Sequence, residues 1–274
     1  MARFDSAPVS RAPVLGGPRG SAGLLRRRPE FVLSPLILVV AIGLWAFVSE
    51  NGIVSRLILP TPSRVFDGIV MLLTAPWFPQ HLFTTGLEMV LGFTIAGASA
   101  IVLAVLLDQS ALARRVAYPY IVTFQVTPMI ALAPVFVIWL GFGLESKILI
   151  AVTTAFFVVL VNTMAGLGSV RRNSLLLMRS LVASRRQVFT MLTFPSALPY
   201  IFAGLKTAAT MALIGALVGE FVTAQAGLGR LLTQFSFSIR QDLVFSVVFI
   251  IAALGLFMYG VVSILQRWIV WWKE

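Results

Sequence analysis

Six stretches of the chain stay apolar for long enough to cross a bilayer, and most polar residues are confined to the segments between them. A spanning helix needs roughly 20 predominantly apolar residues, and that template fits at 32–48, 84–107, 118–141, 147–168, 199–223 and 243–266. The pattern predicts an all-α, polytopic membrane protein with six transmembrane helices. One segment departs from it. Between Ser169 and Thr193, Leu175, Met178, Leu181, Val182, Phe189 and Leu192 recur mostly at steps of three and four, while Arg171, Arg172, Arg179, Arg185 and Arg186 occupy intervening positions. Such spacing makes one or two amphipathic helices outside the apolar spans. A helix of this kind either rests on anionic headgroups or inserts into a groove on a soluble partner. The small pair Ala183 and Ser184 at the junction, followed by FPSALP at residues 194–199, favours the partner.

Shorter signals refine the spans. In LPTPSRVF, residues 59–66, two prolines hold the backbone extended and Ser63 is placed to cap the helix that follows. Phe66, Ile69, Val70 and Leu73 then recur at helical spacing, predicting a short helix on the membrane surface that orients the second span. The third span holds Pro128 and Pro134 and ends in WLGFG, so it bends or breaks. Broken helices line solute paths in transporters, though a kink also serves packing alone. Glu145 and Lys147 fall just outside it. In the fifth span Gly204, Ala208, Ala212 and Ala216 recur every fourth residue, with Gly215 and Gly219 beside them. Small residues on such a ridge let backbones approach closely in lipid, within a chain or across a subunit boundary.

Composition strengthens the membrane reading: 59% of residues are hydrophobic, 11% are charged and the mean hydropathy is +0.97, far from the balance of a soluble domain. The formal charge of +11 is mostly a topology signal. Cytoplasmic flanks retain Lys and Arg, and alternate flanks divide them fifteen to five, with Lys206 inside a span. Both termini and the 169–193 segment fall on the rich side, the cytosol. No basic face with a nucleic-acid reader motif is visible. The chain has no cysteine, hence no disulfide and no thiolate metal site, and its one histidine, His81, is expected at the interface before the second span. Residues 1–30, rich in Pro, Gly and Arg, read as a flexible cytosolic tail ahead of a six-helix transmembrane domain at 31–274. A cleaved signal peptide fits less well, because its charged region would be long and no small-x-small site follows Val48. Trp268, Trp271 and Trp272 with Arg267 and Lys273 form an interfacial anchor.

Ionisable groups inside spans cost about 2.5–3.5 kcal/mol on insertion scales and are functional candidates by default. Lys206 lies near enough to the cytosolic end to snorkel. Glu220 lies near the outer mouth, as a candidate for a gate or path. The two are fourteen residues apart, about 21 Å along a helix, so they do not pair. Glu88 is expected near the outer interface, satisfied by solvent or by Arg64. Pro128, Pro134, Lys206 and Glu220 are therefore the candidates for the translocation path. No catalytic constellation and no metal site emerges from one histidine and scattered carboxylates.

From about Leu59 to the C terminus the chain resembles the permease subunit of a binding-protein-dependent ABC importer of the nitrate/sulfonate/taurine type, which includes permeases for pyrimidine and flavin precursors. The matching blocks are LPTPSRV at 59–65, TPMIALAPVFVIWLGFG at 127–143, ASRRQVF at 183–189, FPSALPYIFAGLK at 194–206 and GEFVTAQAGLG at 219–229. The resemblance implies a type I importer permease fold in a bacterial inner membrane, a homodimer, a dimer of ABC ATPase subunits and an external solute-binding protein. It also implies that the 169–199 region is the coupling element. Val182, Ala183, Ser184, Arg185, Arg186 and Gln187 would contact the ATPase, and Pro195 and Pro199 would form a stiff turn into the fifth span. The chain departs from the family at Val182, where a glycine is usual, at Arg179 and Ser180, where an acidic residue and alanine are usual, and at Glu88, near which a basic residue is frequent. The chain takes no cofactor of its own on this reading. Its three lysines, Lys147, Lys206 and Lys273, follow Ser146, Leu205 and Trp272 and close no phosphate-cradling loop, so ATP belongs to the partner subunit and the permease is not an enzyme. An ATP-independent secondary transporter is the alternative, to be recognised by solute movement on an ion gradient alone. The solute itself is not written in the spans.

Overall fold

The computed structural model describes residues 30–55, 57–223 and 225–273. The N-terminal tail expected at 1–30 and Arg56 lie outside these residues, apart from Glu30. All regular structure among the described residues is helical. The helix α1, Glu30–Glu50, belongs to one compact unit and everything from Val54 onward to another. In α1 the Ser49 hydroxyl donates to the Trp45 carbonyl at 2.9 Å.

The second unit contains α2 (Pro62–Thr74), α3 (Phe78–Asp108), α4 (Ala111–Val126), a 3₁₀ turn (Met129–Leu132), α5 (Ala133–Leu140), α6 (Leu144–Leu167), α7 (Arg172–Ser180), α8 (Arg185–Val188), a π turn (Phe189–Thr193), α9 (Phe194–Thr223), α10 (Leu228–Phe237) and α11 (Gln241–Ile269). Among the described residues four helical stretches are long and apolar enough to cross a membrane: α3, α6, α11 and a continuous stretch from Arg185 to Val222 that includes α8 and most of α9. The expected third span is a fifth only if counted as a broken one, because α4 and the segment Met129–Leu140 meet at 78°. Thr127 and Pro128 sit at that break, where the ring leaves no amide to continue the ladder. The first expected span corresponds to α1, Glu30–Glu50, whose described apolar portion is Pro35–Glu50. Among the described residues the six expected segments thus correspond to four full spans, one bent pair and α1.

The core is a three-helix packing of α3, α6 and α9 built on small side chains. Ala208, Ala212 and Ala216 on α9 are fully buried, as are Ala96, Ala100 and Ala104 on α3 and Ala155 on α6. A Cβ on Gly204 would lie 2.8 Å from Asn162 Cβ, and one on Gly215 would lie 2.7 Å from Ala151 Cα. The predicted small-residue ridge is therefore used inside the chain, against α6, and not across a subunit boundary. Lipid gives no hydrophobic drive for helix association, so close contact and interhelical hydrogen bonds carry it. One such bond runs from the Thr154 hydroxyl to the Met211 carbonyl at 3.1 Å.

Other expectations shift by a few residues, with consequences. The cap of α2 is Thr61, whose side chain accepts from the Arg64 amide, while Ser63 lies within the first turn and bonds the Thr61 hydroxyl at 3.1 Å. This helix buries Val65, Gly68 and Leu72, and leaves Phe66, Val70 and Leu73 exposed. Of the expected apolar stripe, Phe66, Val70 and Leu73 thus form the outer face and Ile69 packs toward the core, while the Ser246 hydroxyl bonds the Val65 carbonyl on the inner face at 2.8 Å. The fourth span begins at Leu144, which places Lys147 inside it. FPSALP is not a turn. Pro195 and Pro199 lie within α9, and the irregularity falls just before them as the π turn, as expected where a missing amide disturbs the upstream ladder.

Candidate functional site

Two groups of residues stand out, at opposite ends of α9. The first surrounds Glu220, near the C-terminal end. His81, Thr85 and Glu88 on α3 are spaced by four and three residues, so they line one face of that helix. They meet Lys147 from the first turn of α6, Glu220 from α9 and the segment Gly227–Gly229 that opens α10. Thr85, Glu88 and Glu220 are almost wholly buried, and Lys147 is 6% exposed.

The connections are specific. The Thr85 hydroxyl donates to Glu220 Oε1 and accepts from the Leu228 amide at 2.8 Å. The Gly229 amide donates to Glu220 Oε2. His81 Nδ1 accepts from the Gly227 amide at 3.0 Å, and so its expected role as a simple interfacial residue becomes that of a tie to this loop. Three successive loop amides, 227 to 229, are thereby held by side chains of α3 and α9. Glycine is needed at two of them: Gly227 has φ +124°, and a Cβ there or on Gly229 would run into the Glu220 carboxyl.

Glu88 pairs with Lys147, Nζ to Oε1 at 3.1 Å. The approach is that of an ion pair and not of an aligned hydrogen bond, as both Glu88 oxygens lack a hydrogen-bond donor in line. This replaces the expectation that solvent or Arg64 satisfies Glu88, and it buries Lys147, expected at the outer end of the fourth span. Gly219 makes the pair possible: a Cβ there would sit 3.1 Å from Lys147 Cα, Cβ and Cγ, so the lysine stem passes directly over α9 at this glycine. Among the described residues no group of three metal-ligating side chains occurs.

The second group is the joint between α7 and α9. The amphipathic stretch forms two helices. At the end of α7 the Ala183 amide bonds the Met178 carbonyl and the Val182 amide bonds the Arg179 carbonyl, both at 3.0 Å, with Val182 at φ 54°. These are the paired bonds of a Schellman C-cap. Ser184 then starts α8 with a reciprocal capping box: its side chain accepts from the Gln187 amide, and Gln187 Oε1 accepts from the Ser184 amide at 2.8 Å. Two caps back to back fix a sharp knuckle. Its residues protrude: Val182 is 89% exposed, and Ser184, Arg185, Arg186 and Gln187 are exposed as well. Ala183 is half-buried.

The remaining candidates lie elsewhere. Pro128 sits at the break between α4 and α5, and Pro134 in the first turn of α5, where its missing amide costs nothing. Lys206 lies away from Glu220, with Nζ 5.5 Å from the centroid of the Tyr259 ring on α11. Thr85, His81 and Lys147 were not among the candidates. The one-face spacing of His81, Thr85 and Glu88 on a single apolar helix was the signal available.

Residues 96–271 match the profile of a family described as the inner membrane component of binding-protein-dependent transport systems. The chain is 32% identical over 254 residues to the formylaminopyrimidine transport permease protein ThiX of Halalkalibacterium halodurans, covering 91% of this chain and 99% of that one. It is 30% identical to the riboflavin transport system permease protein RibX of Chloroflexus aurantiacus, covering 87% and 89%, and 27% identical to the taurine transport system permease protein TauC of Escherichia coli, covering 89% and 90%. Among solved structures, an amino acid ABC transporter chain superposes with a TM-score of 0.58 at 20% identity, covering 74% of this chain and 97% of that one. A chain of the MetNI methionine ABC transporter does so with 0.56 at 18%, covering 77% and 98%.

Proposed function

The chain belongs to the family of inner membrane components of binding-protein-dependent transport systems, a permease of an ABC importer, and from that premise we propose how its two ends act together. The knuckle at Val182–Gln187 is the docking point for an ABC ATPase subunit. Two permease copies, two ATPases and an external solute-binding protein make the working assembly, with both termini and the 169–193 segment in the cytosol. The solute is a small organic or anionic compound of the classes named for the relatives, formylaminopyrimidine, riboflavin, sulfonate or taurine; nitrate belongs to the same range.

One observation carries this reading: a single apolar helical stretch, 38 residues from Arg185 to Val222, holds the knuckle at one end and Glu220 at the other. Closure of the ATPases on ATP moves the knuckle, and α9 slides or tilts on its small-residue seam with α6. At the far end Glu220 moves with it, and so does the hold on the Gly227–Gly229 loop. The broken segment at Pro128 and Pro134 lines the path that opens beside this core.

The test is Ala183→Asp in the transporter reconstituted with its ATPase and binding protein. A carboxylate at the half-buried centre of the knuckle must be desolvated on docking. Solute-stimulated ATP hydrolysis is expected to fall at least tenfold. A variant that assembles normally and keeps that stimulation overturns the coupling assignment. A thermal-shift screen of the cognate binding protein against pyrimidines, flavins, taurine, sulfonates and nitrate identifies the solute class.

A further inference from the structure

A polar groove opens between α9 and the C-terminal part of α11, away from both groups described above. It holds about 570 Å³ and is lined by Lys206, Tyr259, Gly260, Ser263, Gln266, Arg267 and Val270. Two cations and three further polar side chains converge there, with no carboxylate among the described lining residues. Among the described residues neither Lys206 nor Arg267 has an acidic partner within ion-pair distance. The Lys206 ammonium faces the ring of Tyr259, which attracts a cation without neutralising it.

Ser263 adds an independent sign. Helical serines and threonines in apolar surroundings usually fold back onto a carbonyl of the preceding turn, and Ser99, Thr123, Thr207 and Ser246 do so here, each to the residue four earlier. Among the described residues the Ser263 hydroxyl is buried and finds no hydrogen-bond partner. A buried polar atom left unpaired is costly, and this one lines a groove that already carries two positive charges.

The surroundings identify the ligand. Beside the groove, α11 exposes Leu256, Phe257, Ile264 and Leu265, and Trp268 is 80% exposed. A ligand there has its charged end among Lys206, Arg267 and Ser263 and an apolar flank alongside. Tryptophan and arginine together mark the level of lipid headgroups, and basic pockets between spanning helices take anionic headgroups. We infer that this groove binds the phosphate of an anionic membrane phospholipid, with Lys206 and Arg267 as its counter-charges and Ser263 donating to a phosphate oxygen. The inference stands independently of the coupling mechanism, and it gives Lys206 a lipid-facing role in place of one in the solute path.

The experiment uses the full-length chain in mild detergent, with bound lipid read by native mass spectrometry and melting followed in parallel. Phosphatidylglycerol is expected to be retained at least tenfold more than phosphatidylcholine, and to raise the melting temperature. K206Q/R267Q abolishes that preference, the charge-matched control R64Q/R230Q keeps it, and S263A weakens it several-fold. S263D places a carboxylate in the groove and should expel the anionic lipid even if the double variant proves unstable. Equal retention of the two lipids, an unchanged preference in K206Q/R267Q, or an unchanged preference in S263D each overturns the proposal. Stabilisation by inorganic phosphate equal to that by phosphatidylglycerol overturns the lipid assignment in favour of a free anion.

Discussion

Val182 occupies a left-handed backbone position at the end of α7, with φ 54°, and a β-branched side chain is poorly suited to it. The left-handed region costs an L-residue about 1–2 kcal/mol relative to its normal conformation, which is why glycine dominates at this cap. Ile239 repeats the arrangement after α10, with φ 55° and amide bonds from Ile239 to the Ser236 carbonyl and from Arg240 to the Phe235 carbonyl. The usual family glycine at position 182 now has a physical reason. Replacing Val182 by glycine should stabilise the isolated chain by about 0.5–1 kcal/mol, since the strain relieved exceeds the added freedom of the unfolded backbone, and thermal melting checks this. Thr85 makes the opposite prediction. Its hydroxyl serves Glu220 and Leu228 at once, so Thr85→Val leaves a buried amide and a carboxyl oxygen each short of a partner, at about 1–3 kcal/mol. Faster hydrogen exchange at Leu228 and Gly229, with little change at Ala208 and Ala212, is the expected signature.

Between elements, the Glu88–Lys147 pair ties α3 to α6 in a region with almost no solvent. Breaking a buried pair leaves one charge uncompensated, at about 3–5 kcal/mol, whereas replacing both partners by apolar residues of similar volume is often close to neutral. Glu88→Leu and Lys147→Met should therefore each lower the yield of folded protein sharply, and the double variant should recover most of it, as measured by monodisperse fraction in detergent. Much of this level was legible in advance. The apolar runs located the helices, and the Gly204–Ala216 spacing marked a close-packed ridge. Its partner was not legible, because a stripe of small residues reports how near a neighbour comes and not which one it is. The burial of Lys147 was hidden for a related reason: a charge beside an apolar run reads as the exposed end of a span, and the helix that hides it starts three residues earlier. FPSALP read as a turn because prolines usually break helices, yet here the ladder yields one turn upstream and the helix continues.

Across the whole molecule, knuckle and loop tie occupy the two ends of one helix, and their variants should separate cleanly. Glu220→Ala is expected to leave ATPase docking intact, judged by copurification, while lowering solute uptake at least tenfold. Ala183→Asp should instead act at the docking step. The sequence located the knuckle segment and Glu220 but gave no means of seeing that they share a continuous element, since a π turn and two prolines disguise the junction. That continuity has a mechanical meaning. At 1.5 Å per residue the stretch from Arg185 to Val222 is about 57 Å long, so a tilt of about 5° about one end displaces the other by about 5 Å, comparable to a full helical turn. On the proposed coupling the helix would work as a lever, small angular changes at the knuckle sufficing to carry the Glu220 carboxyl clear of the amides it holds.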